Sequence, residues 1–340
     1  MTRPDAPAVD VHAHAMFPAV EATAAEHPGH ARQRELDLRG SGVESATVNQ
    51  AQLGQIAPLL TDPAQRLAAM DRAGVDVQVV SAMPLYHYWA EAPVAQRLTR
   101  LTNEGMAALV EQHPHRLIGL GTVPLQHPKL AVDELTRAVT EFGLRGVQIG
   151  TLAGSRELAD DELDGFWATA EELDAVVFVH PWGCSLGERL DRYYLSNVVG
   201  NPVETTVALS HLVFSGLLDR HPAVRIVAAH GGGYLPTYLG RSDHAWNVRP
   251  ESQRAAEPPS AYVRRMWFDS LVYTPLALRQ LVEAVGADRV VLGSDYPFDM
   301  GVTDPVDRLA AAALEPKQEQ AIRGGNAASL LQLPISVPAP

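Results

Sequence analysis

Two histidines near the start of the chain are spaced to bind a metal ion. His12 and His14 lie at the end of an apolar run, residues 9–14, which predicts a short strand. Side chains on a strand alternate between its two faces, so these imidazoles point to the same side. A same-face pair of imidazoles supplies half of a divalent-metal site. Two ordinary polar residues would show the same spacing, so the motif needs support from the rest of the chain.

Three later strand-like runs also end in side chains that bind metals or transfer protons. Their last residues are His180, His230 and Asp295. Each of them alone has an ordinary explanation, such as an N-cap role for the aspartate. In a parallel barrel, however, the carboxyl ends of all strands meet at one rim, where the active site lies. We therefore expect all five side chains, including His12 and His14, to converge at that rim.

Three imidazoles and one carboxylate suit Zn²⁺ with one position open for water or substrate. Ligand type alone leaves Mn²⁺ and Fe²⁺ open. The predicted ligands are His12, His14, His180 and Asp295. Bridged two-metal sites in related barrels use a lysine at the end of the fourth strand, and residues 146–150 contain none. The sequence therefore predicts a single metal ion.

His230 is the predicted acid/base residue. The three residues that follow it, 231–233, are all glycine, which allows a sharp turn and leaves the imidazole open. An imidazole with a pKa near neutrality can hold a proton or take one from water. Asp295, beside the predicted metal, is the second candidate for handling this proton.

The order of predicted elements favours a TIM (β/α)8 barrel, because eight strand-like runs alternate with helix-like patterns. A doubly wound sheet is the competing fold, but no glycine-rich phosphate loop follows the first strand. Residues 1–333 are expected to form one domain, with 15–62 inserted over the barrel mouth, a second long connection at 240–262 and a frayed tail at 334–340. The predicted strands are 9–14, 75–82, 117–123, 146–150, 175–180, 224–230, 266–270 and 290–295, and the predicted helices are 64–73, 94–112, 130–142, 163–173 and 276–285.

Composition excludes several classes of function. The 340 residues carry a net charge of −13, which disfavours nucleic acid and anionic membranes as partners. Cys184 is the only cysteine, so neither an internal disulfide nor a thiolate cluster can form. The sequence shows neither a membrane-length apolar run nor an apolar leader at its start, so we expect a cytoplasmic protein.

Several short stretches of the chain are together specific to one enzyme family. In these stretches the chain resembles the amidohydrolase-related metal-dependent decarboxylases, and most of all the α-amino-β-carboxymuconate-ε-semialdehyde decarboxylases. The resemblance runs from about residue 8 to residue 327, and residues 15–62 match poorly. The matching stretches are 9–14, 70–79, 123–126, 146–150, 179–182, 230–233, 239–241 and 292–298.

The resemblance implies a distorted TIM barrel with a single Zn²⁺ on the four predicted ligands and His230 as the acid/base residue. It also implies loss of CO2 from an unsaturated or aromatic acid without an oxidant or an organic cofactor, and a homodimer. In the semialdehyde decarboxylases, an arginine corresponding to Arg241 reaches across the dimer to the partner's substrate carboxylate. Without the resemblance, Arg241 would be interpreted as a surface residue that forms a salt bridge at the head of a helix.

One difference from these enzymes points to a substrate with a single carboxylate. Their second carboxylate-binding arginine corresponds to a position near Gly54, and residues 48–60 contain neither Arg nor Lys. A dicarboxylate held by two guanidinium groups is therefore not expected. The tryptophan after their fifth strand corresponds to Tyr193.

The substrate pocket is predicted to be aromatic. Trp182 and Phe298 lie beside predicted ligands, and Tyr193 follows in the same loop as Trp182. The loop after the second strand, residues 84–89, adds two tyrosines, a tryptophan and His87. Trp182 and Phe298 would also suit the core, and Tyr86, Tyr88 and Trp89 could equally be packing residues under the insertion at the barrel mouth.

These observations predict a decarboxylase of a small unsaturated or aromatic carboxylic acid. A hydrolase or hydratase that acts on a lactone, an amide or a double bond would use the same barrel and metal. A non-catalytic binding barrel is the third alternative, although buried histidines and carboxylates without a metal would cost several kcal/mol. Release of CO2 separates the first two alternatives, and metal content separates both from the third.

Overall fold

Short parallel strands of this protein close into the predicted distorted TIM barrel. The computed structural model describes residues 7–333, so the predicted tail at 334–340 lies outside the described residues. Within them the strands are β1 Val9–Ala15, β2 Val77–Ala82, β3 Leu117–Gly119, β4 Gly121–Thr122, β5 Gly146–Ile149, β6 Leu152–Ala153, β7 Arg156–Glu157, β8 Val176–Val179, β9 Arg225–Ala228, β10 Trp267–Asp269 and β11 Val290–Val291. All eight predicted strands are present, and β6–β7 is a small additional antiparallel hairpin.

Two sheets make up the barrel wall. One has the order β1-β2-β3 and the other the order β11-β10-β9-β8-β5-β4. At one seam β3 and β4 are consecutive parts of one strand, interrupted at Leu120, whose N–H donates to Val80 O. At the other seam β1 meets the end of β11, where His14 N donates to Tyr296 O over 2.8 Å. These two seams bring the ends of all eight strand positions to one rim.

Strand composition explains the closed core. The side chains of β8 are all Val or Phe and are at most 2% exposed, as expected for a strand covered on both faces. Inside the barrel, Phe178 packs with Val11, Val79 and Val227 below the rim. Leu330 belongs to the same cluster and closes the lower end of the barrel interior.

The helices surround this barrel. They are α1 Pro18–Ala25, α2 Pro28–Ser41, α3 Val43–Thr61, α4 Pro63–Ala73, α5 Ala92–Gln112, α6 Pro128–Thr140, α7 Asp164–Glu172, α8 Asn201–Phe214, α9 Leu217–Arg220, α10 Leu239–Val248, α11 Pro259–Val263, α12 Pro275–Val285, α13 Pro305–Ala311, α14 Pro316–Gln320 and α15 Asn326–Leu330. Capping explains the predicted bounds of α4, since Asp62 Oδ1 accepts from Ala64 N and Gly74 ends the helix with φ 68°. No helix in residues 7–333 combines the length and hydrophobicity of a membrane span.

The two long connections are more helical than their sequences suggest. Residues 15–62 form α1, α2 and α3, and α2 buries none of its residues, which explains its weak apolar periodicity. The 240–262 connection contains most of α10 and α11. Helix α8 was not predicted at all, and it begins directly after a short π-helix at Ser196–Gly200.

Candidate active site

The two histidines of β1 point into the barrel mouth, as their spacing predicts. Both are fully buried, and their ring centroids are 5.2 Å apart. His12 Nδ1 donates to Asp269 Oδ2 over 2.6 Å, and His14 Nδ1 lies 3.2 Å from Ala82 O. With Nδ1 used in this way, each imidazole turns its Nε2 towards the centre of the site.

The other three predicted residues meet the β1 pair at this point. The His180 ring lies 5.0 Å from the rings of His12 and His14, and the His230 ring lies 5.0 Å from that of His180. Asp295 Oδ1 lies 3.3 Å from His12 Nε2. Ligand atoms of His12, His180, His230 and Asp295 all lie within 4.8 Å of one another.

His14 is outside that compact group of four but adjoins it. Its Nε2 lies 3.1 Å from Asp295 Oδ1, whereas His230 Nε2 lies 3.5 Å from Asp295 Oδ2. The geometry therefore brings five candidate groups together, one more than the predicted four-ligand set needs. Assignment of His14 as a ligand and of His230 as the acid/base group stays a prediction.

Unpartnered buried atoms show that the site fits a cation. Each atom in this set is buried and makes no hydrogen bond of regular geometry in the described structure: His12 Nε2, His14 Nε2, His180 Nδ1, His180 Nε2, His230 Nδ1 and Asp295 Oδ1. Buried polar atoms without partners are rare in native proteins. Imidazole nitrogens and a carboxylate oxygen are also the ligands that divalent transition metals prefer. The residues present therefore fit one divalent metal ion.

The electrostatics of the site favour positive charge. Burial lowers the pKa of His12, but the carboxylates of Asp295 and Asp269 outweigh burial and raise it to about 10. Burial would raise the pKa of Asp295, yet the surrounding imidazoles, His12 first, hold that pKa well below its usual range. Burial and the charge of His12 hold the pKa of His180 well below its usual value, so His180 is neutral and able to bind a metal.

Asp269 is a further member of the site, beside the five predicted residues. It ends β10, is fully buried and contacts His12 directly. Its carboxylate also accepts from the backbone N–H groups of His230 and Gly231, each over 2.8 Å. Asp269 thus orients one predicted ligand and the predicted acid/base residue together.

Both residues at the centre of the predicted chemistry have left-handed backbones. His230 has φ 54° and Asp295 has φ 58°, and Gly231–Gly233 also have positive φ. Such conformations are costly for residues other than glycine and occur preferentially at functional sites. The turn after β9 needs its glycines for space as well, because a Cβ at Gly232 would lie 2.6 Å from the Phe268 ring.

The four residues predicted to bind substrate lie at different distances from this cluster. The Phe298 ring is 5.3 Å from the His14 ring. Trp182 is 44% exposed at the mouth, whereas Tyr193 is 82% exposed. Burial, with smaller contributions from the charges of Asp299 and Asp295, raises the pKa of the neighbouring Tyr194 to about 12. Arg241 lies on α10 and is exposed, and the described residues give it no hydrogen bond or ion pair. Of these four residues, Phe298 alone has a ring contact with a predicted ligand within residues 7–333.

The aromatic loop after β2 forms part of the wall beside His180. Tyr86 stacks on Tyr88 with ring centroids 5.3 Å apart, and its hydroxyl donates to His180 O over 2.7 Å. On its other side Tyr86 lines a small cavity, together with Glu21 and His87. Tyr86 therefore supports the backbone of a predicted ligand as well as packing in the wall.

Known proteins resemble this chain in fold and in sequence. A profile of the amidohydrolase family matches residues 9–333. The 2-amino-3-carboxymuconate-6-semialdehyde decarboxylase of Dictyostelium discoideum is 36% identical over 276 residues, which cover 80% of this chain and 77% of that protein. The crystal structure of 5-carboxyvanillate decarboxylase from Sphingomonas paucimobilis matches with a TM-score of 0.82 and 26% identity, over 96% of this chain and 99% of that one.

A further crystal structure of the same fold contains a metal. The dihydroxybenzoic acid decarboxylase from Polaromonas sp. JS666, with bound manganese and the inhibitor 2-nitroresorcinol, has a TM-score of 0.80 and 23% identity. That match covers 96% of this chain and 97% of the Polaromonas chain, and it shows the fold alone. The family profile and the semialdehyde decarboxylase extend the likeness to sequence. This chain belongs to the amidohydrolase family, within its group of amidohydrolase-related decarboxylases.

Proposed function

We propose that this protein is a metal-dependent decarboxylase that removes CO2, without an oxidant, from a small unsaturated or aromatic carboxylic acid. The observation that carries the proposal is the convergence of His12, His14, His180, His230 and Asp295 at one barrel rim, where each of them has at least one buried polar atom without a hydrogen bond of regular geometry. The sequence identity with a semialdehyde decarboxylase supports the reaction type.

One divalent ion would be held by His12, His14, His180 and Asp295. Such an ion supplies Lewis acidity and a fixed point that orients substrate oxygens. Three imidazoles and one carboxylate support Zn²⁺, and the manganese in the Polaromonas enzyme supports Mn²⁺ as the alternative. Elemental analysis of the purified protein distinguishes the two metals.

His230 is proposed to deliver the proton that decarboxylation requires. Loss of CO2 breaks a carbon–carbon bond and leaves its electron pair on the substrate carbon, which must accept a proton. The His230 side chain is 13% exposed, so it reaches the open side of the cluster, and its Nε2 lies near Asp295. Asp269 holds the backbone of His230 in place. His230 transfers its proton to the carbon that bears the carboxylate, CO2 leaves, and the conjugated system re-forms.

The mouth of the site favours a substrate with one carboxylate. Gly54 lies on exposed helix α3 without any side chain to bind an anion, and nearby Gln52 donates to the carboxylate of Asp299 over 2.9 Å. A second substrate carboxylate would therefore meet negative charge rather than a guanidinium. Phe298 and Trp182 offer aromatic surface instead, which supports a hydroxybenzoate-like acid.

A homodimer is also proposed. Arg241 is exposed on α10, and Tyr238 next to that helix is 67% exposed. An isolated arginine beside an exposed aromatic ring fits a contact with a second copy, whose substrate carboxylate Arg241 would bind. Light scattering of the wild type and Arg241→Met tests the assembly, and the KM of the variant tests the contact. The cytoplasmic location stays a prediction.

The decisive experiment measures CO2 release with a panel of hydroxybenzoates and muconate-like acids, beside hydrolysis of a panel of lactones. We expect CO2 from at least one aromatic monoacid, and loss of that activity after chelation of the metal. Turnover of lactones without CO2 release from any acid would establish the hydrolase alternative. Metal-free protein with neither activity would support the non-catalytic alternative.

A further inference from the structure

A charged network lies buried behind the cluster of four histidines and Asp295, and the proposed chemistry does not use this network. Its cation is Arg66 on α4, which is only 1% exposed. The guanidinium donates to Gln78 Oε1 over 2.7 Å and to the backbone carbonyl of His14. It also lies over the Tyr296 ring, 5.0 Å from the ring centroid. Arginine is almost never buried this completely unless it is paired.

Gln78 links this cation to a buried carboxylate. Its Nε2 donates to Asp10 Oδ2 over 2.9 Å, and Asp10 is fully buried. The amide therefore faces the cation with its oxygen and the anion with its nitrogen. Arg66 and Asp10 balance each other's charge across the side chain of Gln78, on β2.

Asp10 in turn holds the backbone on both sides of the barrel seam. It accepts from the hydroxyl of Ser294 over 2.6 Å, from Ser294 N over 3.0 Å and from His12 N over 3.1 Å. Ser294 directly precedes Asp295, whose left-handed backbone needs support from its surroundings. The network thus reaches the main chain at or next to three of the predicted ligands.

We infer that Arg66, Gln78 and Asp10 form one buried positioning unit, which fixes the β1 histidines relative to Asp295. Arg66 is the central residue of this unit. Its guanidinium donates to the carbonyl of His14 and lies over the ring of Tyr296, the residue after Asp295. None of its three side chains is a predicted metal ligand, so the unit acts through the ligands that it positions. The inference rests on the ligand set of the proposed function.

The test compares two variants, Arg66→Met and the control Arg265→Met, whose arginine lies at the other end of the barrel. Arg265, like Arg66, makes two hydrogen bonds and lies over a tyrosine ring, although it is half-buried: it donates to the backbone carbonyls of Leu218 and Pro222 and lies over Tyr262. Both variants lose two hydrogen bonds and a contact with a tyrosine ring, so both should melt at a lower temperature. Arg66→Met alone is expected to change the visible spectrum of the cobalt-substituted protein.

Metal release gives the second readout. We expect Arg66→Met to release cobalt to a chelator at least tenfold faster than the wild type, and its kcat with saturating metal to fall roughly 10–100-fold, the usual range for groups that orient ligands. Arg265→Met should keep the spectrum, the release rate and kcat. Gln78→Met, which breaks the link but keeps Arg66, should repeat the cobalt phenotype and provides the test if Arg66→Met does not fold.

Two outcomes would overturn the inference, and they are distinguishable. A folded Arg66→Met or Gln78→Met protein with the spectrum and release rate of the wild type would show that the network serves folding only. A wild-type protein that takes up no cobalt would overturn the proposed ligand set and this inference with it.

Discussion

Asp269 reaches past a neighbouring strand to orient His12. Its Oδ2 accepts from His12 Nδ1 over 2.6 Å, although β11 lies between β10 and β1 in the barrel. The path is open because residue 293 is glycine: a Cβ there would lie 2.8 Å from Asp269 Cβ and 3.1 Å from His12 Cβ. One missing side chain therefore allows a carboxylate to fix the tautomer of a predicted ligand.

Replacement of Asp269 by asparagine should impair the site without unfolding the barrel. The neutral amide of Asp269→Asn cannot carry the charge that favours the orientation of His12, so we expect metal affinity or kcat to fall roughly 10–100-fold. Asp164→Asn is the matched control, since Asp164 also pairs with a histidine, His221, over 3.0 Å but away from the site. Isothermal titration with zinc and steady-state kinetics measure the effect. Equal kinetics for the two variants would contradict the orienting role.

The roles of His230 and His14 can be separated by metal content. We expect His230→Gln to keep one equivalent of metal while its kcat falls by roughly 10²–10⁴, the range for loss of a general acid. His14→Gln should instead lose most of its metal, because Nε2 of His14 is a proposed ligand atom. Elemental analysis and CO2 release, measured on the same preparations, check both. If His230→Gln loses its metal while His14→Gln keeps it, the two roles are exchanged.

The strand ends could be predicted from the sequence, whereas the supporting contacts could not. His12 and Asp295 follow from strand periodicity and from the position of polar residues after apolar runs, which are local signals. Asp269 and Asp10 look like ordinary strand residues, because their partners His12 and Ser294 are 257 and 284 residues away along the chain. The exposure of the Tyr193 ring could not be predicted from the sequence either. It depends on two successive residues with positive φ, Tyr193 and Tyr194, which turn the Tyr193 ring to solvent.

Removal of the Tyr86 hydroxyl should weaken the support of His180. Tyr86→Phe loses the 2.7 Å hydrogen bond to His180 O, so we expect about 1 kcal/mol less stability and faster release of metal to a chelator. Tyr88→Phe is the matched control, because its hydroxyl accepts from Gly150 N rather than contacting a ligand. It should lose stability while keeping the release rate of the wild type. Equal release rates from both variants would assign Tyr86 to packing.

His87 should make the protein less stable in mild acid. Burial, with a smaller contribution from the charge of His30, lowers the pKa of His87 from 6.5 to about 4, and the side chain packs edge-on against Trp89. Between these two pH values the unfolded chain binds a proton that the folded protein does not bind. Stability therefore falls as the pH decreases from 6.5 towards 4, by up to about 3 kcal/mol for this residue.

The substitution His87→Asn isolates this effect. Asparagine tolerates the φ of 52° at this position and does not titrate, so the variant should lose less stability than the wild type between about pH 7 and pH 5. Urea unfolding at both pH values measures the difference. His244→Asn, on the exposed side of α10, should keep the pH dependence of the wild type. If His87→Asn and the wild type lose the same stability over this interval, His87 is protonated in the folded protein and its burial does not control the acid response.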